Sequence, residues 1–152
     1  MRDDDRIMHL EDFTIGQRFT TETYEITPDN LRQYASQFDP QPIHLDPRKA
    51  EAGMFGRIIA SGWQVLSVTM KLMVESRPLG ATPLVGVEVD GIRFLMPVVP
   101  GDVLRVEAVI VGARPSESKP DRGYLRLDLA TKRPDGDVVL TQSWTLLVPR
   151  RP

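Results

Sequence analysis

Among its 152 residues the chain has no cysteine. That excludes a disulfide framework, a thiolate nucleophile and a thiolate metal site. Histidine is almost as scarce, with only His9 and His44, so imidazole chemistry has few places to reside. Aromatic residues are 7% of the chain and the formal net charge is -2. With no basic stripe interleaved with aromatics, nucleic acid is not an expected partner. No apolar run reaches the roughly 18–20 residues that a membrane span needs. The opening stretch MRDDDRIMHLEDF is acidic and lacks the apolar segment of a secretory signal. Repeats and low-complexity tracts are also missing. The expectation is therefore a cytoplasmic protein without a membrane or nucleic-acid partner, folded as one domain over residues 1–152.

What is present divides by period. From about Thr27 to Ser76 the signals are helical, after a short strand candidate at Arg18 to Ile26. Thr27-Pro28-Asp29 reads as a helix start, with a capping hydroxyl, a proline at the first helical position and an acid in the first turn. That helix should end near Phe38, before Pro40. Asp46-Pro47 repeats the signal for a short helix stopping at Gly53. Ser61 is a third cap, opening a helix over Gly62 to Ser76. In that helix Gln64, Ser67, Lys71 and Glu75 form one narrow polar stripe, and apolar residues cover most of the remaining circumference. Such a helix is expected to be enclosed on several sides.

From about Leu84 to Val148 the pattern alternates with period two. Leu104, Val106, Ala108 and Ile110 share one face, as do Leu125, Leu127 and Leu129. Val138, Leu140, Trp144, Leu146 and Val148 share another, interrupted by Gln142. Pro134-Asp135-Gly136 predicts a hairpin turn between the last two runs, and the polar stretch Arg114 to Arg122 a loop. The phase slips at Asp90-Gly91, which predicts a bulge in one bent strand rather than a very short hairpin. The fold class is α+β, one antiparallel sheet curled around one central helix. The uncovered sheet edges make a symmetric dimer an expectation.

The segment Phe38 to Pro47, FDPQPIHLDP, carries the chemistry. Its prolines stiffen what reads as a non-helical loop, and it holds Asp39 and His44. A carboxylate and an imidazole together can hold one water, one taking its proton and the other delivering a proton elsewhere. The plainer reading stands beside this one: Asp39 caps or pairs, and His44 packs in a turn. Ser61 and Gly62 open the third helix, whose first N–H groups have no internal partner. A glycine there lets a ligand oxygen approach the backbone, which would make an oxyanion site. The plainer reading is a capping serine and a turn glycine. A metal site from Asp39, His44 and Asp46 has too few ligands to be expected. His9 lies in a polar segment and reads as a surface residue, and Arg93 as a solvent-facing strand residue.

Phe38 to Gly62 resembles the MaoC-like dehydratase family, which includes the (R)-specific enoyl-CoA hydratases. The resemblance rests on Asp39 and Pro42-Ile43-His44, with Asp and His five apart, on Gly62 eighteen residues after His44, and on the later segment Ile92 to Leu104 with its Pro-Val-x-Pro-Gly-Asp turn. It implies the hot-dog fold and reversible hydration of a 2-enoyl-CoA to an (R)-3-hydroxyacyl-CoA. Asp39 and His44 would be catalytic, and Gly62, with Ser61, would bind the thioester carbonyl. It implies no cofactor and no metal, an acyl-CoA thioester as substrate, and a homodimer or an oligomer of dimers. The chain departs from the family pattern at Phe38, where glycine is usual, at Gln41 in place of asparagine, and at Ser61-Gly62-Trp63 in place of His-Gly-Met. Phe38 and Trp63 are bulky and are expected to shape the acyl pocket. Two other readings stay open on the residues alone, a hot-dog acyl-CoA thioesterase and a non-catalytic acyl-CoA-binding protein.

Overall fold

The structure, a computed structural model, describes residues 5–152. The first four residues of the acidic opening stretch lie outside them, so the expectation for that stretch falls partly there. The element order is a short 3-10 helix at Leu10–Asp12, β1 (Arg18–Glu25), α1 (Pro28–Phe38), α2 (Pro42–Leu45), α3 (Pro47–Glu51), α4 (Gly62–Ser76), β2 (Val85–Phe94), β3 (Val103–Pro115), β4 (Arg122–Lys132) and β5 (Val138–Pro149). The five strands form one antiparallel sheet in the order β1-β3-β4-β5-β2. It curls against α4, which is the hot-dog arrangement.

Local chemistry accounts for the element starts. Thr27 and Asn30 form a reciprocal capping box, each side chain accepting from the other's N–H at 3.1 Å. The Ser61 hydroxyl oxygen accepts the Trp63 N–H. The parity of β3, β4 and β5 sends Leu104, Val106, Ile110, Leu125, Leu127 and Leu146 into one core with Leu72 and Met73 of α4. A buried hydroxyl contact of 2.6 Å between Thr69 and Thr131 ties α4 to β4. The turn at residues 134–136 joins β4 and β5, with Gly136 at φ 94. At Asp90-Gly91 β2 stays one strand. Its register shifts between Asp90 and Arg93, and Gly91 takes φ 62, a left-handed conformation that glycine adopts without a Cβ clash. Strand pairing reaches Pro115 on one side and Arg122 on the other, so the expected loop shrinks to residues 116–121.

Two expectations need correction. The Asp39–His44 segment is not wholly without regular structure: Pro42–Leu45 is a single helical turn. Pro42 stands at its start, where a missing N–H costs nothing. Nor is α4 enclosed on several sides by its own chain. Gln64 of the supposed polar stripe is buried, while Trp63, Met70 and Val74 are exposed. The helix packs on β1 and β3, and β2 lies at the far edge of the sheet. Gln64 is drawn inward because its amide donates to Asn30 Oδ1 at 3.1 Å, fastening α4 to α1. Among the described residues no helix is long and apolar enough to cross a membrane.

Candidate active site

Asp39 is the residue at which α1 ends. Its backbone leaves helical geometry while its N–H still bonds Ala35. Five residues on, the turn of α2 brings the His44 imidazole back against it. His44 Nε2 lies 3.1 Å from Asp39 Oδ2, and His44 Nδ1 lies 2.7 Å from the Ile59 carbonyl oxygen. A carbonyl can only accept, so Nδ1 carries a hydrogen. A lone pair on Nε2 would then face a carboxylate. The 3.1 Å contact therefore needs one proton, and the two side chains hold it as a unit.

The charge balance favours an ionised Asp39. The Ser61 hydroxyl, then the Gln41 amide, and with them His44, hold its carboxyl below the ordinary aspartate value of 3.8, against an opposing effect of burial. Gln41 Nε2 donates to Asp39 Oδ1 at 2.7 Å. The Ser61 oxygen already accepts the Trp63 N–H at 3.2 Å, which leaves its O–H to donate to Asp39. Because the folded value is lowered, this carboxylate's contribution to stability is present above pH 3.8 and is lost as pH falls through the lowered value. The melting temperature of wild type should exceed that of Asp39→Ser at neutral pH, with the gap closing below pH 3.8. A gap that does not change with pH would show that the site does not hold Asp39 charged.

Against the pair, through the Ser61 hydroxyl, stands the N-terminus of α4. Ser61 is fully buried, and no bond among the described residues uses the Gly62 N–H. The Phe94 ring sits so close to Gly62 that a Cβ there would lie 2.6 Å from its Cε1. Gly62 thus serves the close approach of a neighbouring wall as well as any ligand. Asp39, His44, Gly62 and Trp63 line one cavity of about 400 Å³, completed by Phe55, Ile59 and the apolar run Phe94 to Val98. The size and the mostly apolar lining with a few convergent polar groups suit a small organic group.

Of the residues expected here, Asp39, His44, Ser61, Gly62 and Trp63 come together. Phe38 does not: its ring is 70% exposed and packs on Tyr34 at a centroid distance of 5.2 Å, outside the cavity lining. As the last residue of α1 it points along that helix's outer face. Asp46 is likewise spent elsewhere, its carboxylate accepting from Arg48 N and Lys49 N at the start of α3. Arg93 is exposed on β2. His9 is partly buried, and its N–H donates to Asp12. Sequence reasoning passed over Ile59, because a backbone carbonyl leaves no mark in residue type. It also passed over the role of Phe94 to Val98 as a wall. That run is anchored where Ala60 N–H donates to Val98 O at 2.7 Å.

Residues 12–127 match the family described as MaoC like domain. The uncharacterized protein YdeM of Bacillus subtilis is 36% identical over 124 residues, which is 82% of this chain and 86% of that protein. The 3-hydroxyacyl-thioester dehydratase Z of Mycobacterium tuberculosis is 32% identical over 89 residues, 57% of this chain and 59% of its own length. Among solved structures, the MaoC-like dehydratase of Rhodospirillum rubrum superposes with a TM-score of 0.86 at 35% identity, covering 95% of this chain and 99% of that one. The R-hydratase of Pseudomonas aeruginosa shares the fold at 22% identity and a TM-score of 0.73, over 94% and 86% of the two chains.

Proposed function

This chain belongs to the MaoC-like domain family, and from that premise we propose that it is a hydro-lyase that reversibly hydrates a 2-enoyl-CoA to an (R)-3-hydroxyacyl-CoA. The observation that carries the reading is that Asp39 and His44, 3.1 Å apart, line one cavity with Gly62, whose N–H has no partner among the described residues. In the proposed reaction the thioester carbonyl oxygen accepts the Gly62 N–H, and that bond strengthens as negative charge builds on the oxygen. Conjugation makes C3 electrophilic. Water held by Asp39 and His44 adds to C3, its proton passes to the pair, and the pair returns one proton to C2. The pair starts and ends with one proton, and the 3.1 Å contact is the path along which it resets. The (R) configuration is carried over from the family resemblance, and dehydration is the same path reversed. The test is loss of the conjugated enoyl absorbance of crotonyl-CoA with wild type and not with His44→Ala. Release of free thiol from a saturated acyl-CoA would instead mean a thioesterase.

The acting unit in this reading is the single domain 1–152, working as a homodimer. Support comes from β2, a sheet edge whose Val85, Val87, Val89, Ile92 and Phe94 are all exposed, beside exposed Trp63, Met70 and Val74 of α4. An apolar edge strand with unpaired backbone groups invites a second copy of itself. Sedimentation equilibrium should give twice the chain mass, and Val85→Lys should shift the population toward monomer. A wild-type monomer at micromolar concentration would refute the dimer.

A further inference from the structure

Ser61 is fully buried. It does not line the catalytic cavity, although its neighbours Ala60 and Gly62 do. A substrate in that cavity meets Gly62 and not Ser61. Whatever Ser61 does for the reaction, it does through another residue.

Its surroundings name that residue. The segment 59–61 contacts both members of the pair. The Ile59 carbonyl oxygen accepts from His44 Nδ1 at 2.7 Å, and the Ser61 hydroxyl donates to the Asp39 carboxylate. Between these two, the Ala60 N–H donates to Val98 O at 2.7 Å and fixes the segment. The Ser61 oxygen accepts the Trp63 N–H at 3.2 Å. That N–H belongs to the first turn of a 15-residue helix, where the positive end of the helix dipole lies. A hydroxyl that accepts there has its single hydrogen left to give, and a buried donor is nearly always paired. Ser61 thus passes the polarity of the α4 N-terminus on to Asp39. Two other groups bond this carboxylate, Gln41 Nε2 at 2.7 Å on Oδ1 and His44 Nε2 at 3.1 Å on Oδ2. Gln41 is exposed, so water can take its place. Water cannot reach Ser61. Among the described residues His44 is the one titratable group that faces Asp39.

We propose that Ser61 is a positioning residue of the pair, whose O–H, set by the first turn of α4, keeps Asp39 a carboxylate and leaves the shared proton on His44. An ionised Asp39 is the form that can take a proton from water. The role in turnover rests on the hydro-lyase reading, whereas the protonation itself belongs to the free protein and is measured there.

The test follows the Asp39 carboxyl carbon by 13C NMR as pH is lowered, with its signal identified by its loss in Asp39→Asn. The variant is Ser61→Gly, because glycine caps a helix nearly as well as serine and removes only the hydroxyl. Losing a hydrogen bond to a charged group should let Asp39 bind its proton about tenfold more tightly, so the transition moves to higher pH. Should the glycine variant not fold, Ser61→Cys keeps the shape with a much weaker donor and should move the transition in the same direction by less. A serine that only caps α4 would lower the melting temperature and leave the transition where wild type has it, and that result would overturn the inference. The acid limb of kcat/KM for crotonyl-CoA should move with the carboxyl signal. A limb that stays in place while the signal moves would also overturn it. Wild-type hydration with an unmoved signal condemns the role of Ser61 alone. A moved signal without hydration condemns the hydratase reading alone, and absence of both condemns both.

Discussion

Asp39→Asn should lower kcat for crotonyl-CoA hydration by about 10²–10⁴-fold, and His44→Ala by a similar factor. The asparagine variant is the sharper of the two. Its amide keeps the size of the carboxylate and can still donate to His44 Nε2, so the 3.1 Å contact survives in shape. What it cannot do is take up and release a proton. His44→Ala also removes the hydrogen bond to the Ile59 carbonyl, and so mixes chemistry with packing. Because the two groups act as one unit, the double variant should be little worse than the worse single one. Steady-state rates read from the enoyl absorbance decide the matter, with far-UV circular dichroism to establish that each variant is folded. An Asp39→Asn protein with wild-type kcat would remove the carboxylate from the mechanism.

The second large effect concerns the helix that carries Gly62. Leu72 is 1% exposed in the core between α4 and the sheet. Leu72→Ala deletes buried methyl groups and leaves a cavity, which costs about 2–5 kcal/mol. For a chain of this size that lowers the melting temperature by on the order of 10 °C. Trp63, on the same helix, is 63% exposed in the single chain, so Trp63→Ala should cost a monomer only a small fraction of that, and cost more in a dimer that covers this side. Thermal melts of the two variants side by side make the comparison. Equal losses would mean that the exposed side of α4 is covered in solution and bears as much of the stability as the core side does.

The contrast between Leu72 and Trp63 marks where sequence reading stopped. Both are large apolar residues in one helical pattern, and periodicity predicts only that most of the helix circumference is apolar. Which apolar side meets the sheet depends on how far the sheet curls and where its last strand lies. Gln64 and Gln142 mislead for the same reason. Each looks like a polar interruption and each is buried, held by a side-chain bond that periodicity does not report: to Asn30 for Gln64, and to the Trp144 indole on the same strand face for Gln142. Phe38 erred in the opposite direction. Its place beside Asp39 in the chain suggested a place beside it in the site, but it is the last residue of a helix and points outward.

By itself the sequence determined what short-range chemistry determines. The caps at Thr27, Asp46 and Ser61 are hydrogen bonds spanning two or three residues. The parity of β3, β4 and β5 follows from alternate side chains facing opposite ways. The bulge in β2 falls at Gly91, where only glycine enters the left-handed region freely. The closeness of Asp39 to His44 is also local, a helix end followed by a single turn. Only the tertiary structure decided what those residues face. It brought the Ile59 carbonyl to His44 Nδ1, the Phe94 ring onto Gly62, and Gln142 and Trp63 to the lining of one cavity. Each of these joins segments 15 or more residues apart, and such contacts are selected by the packing of the whole core, which no local pattern encodes.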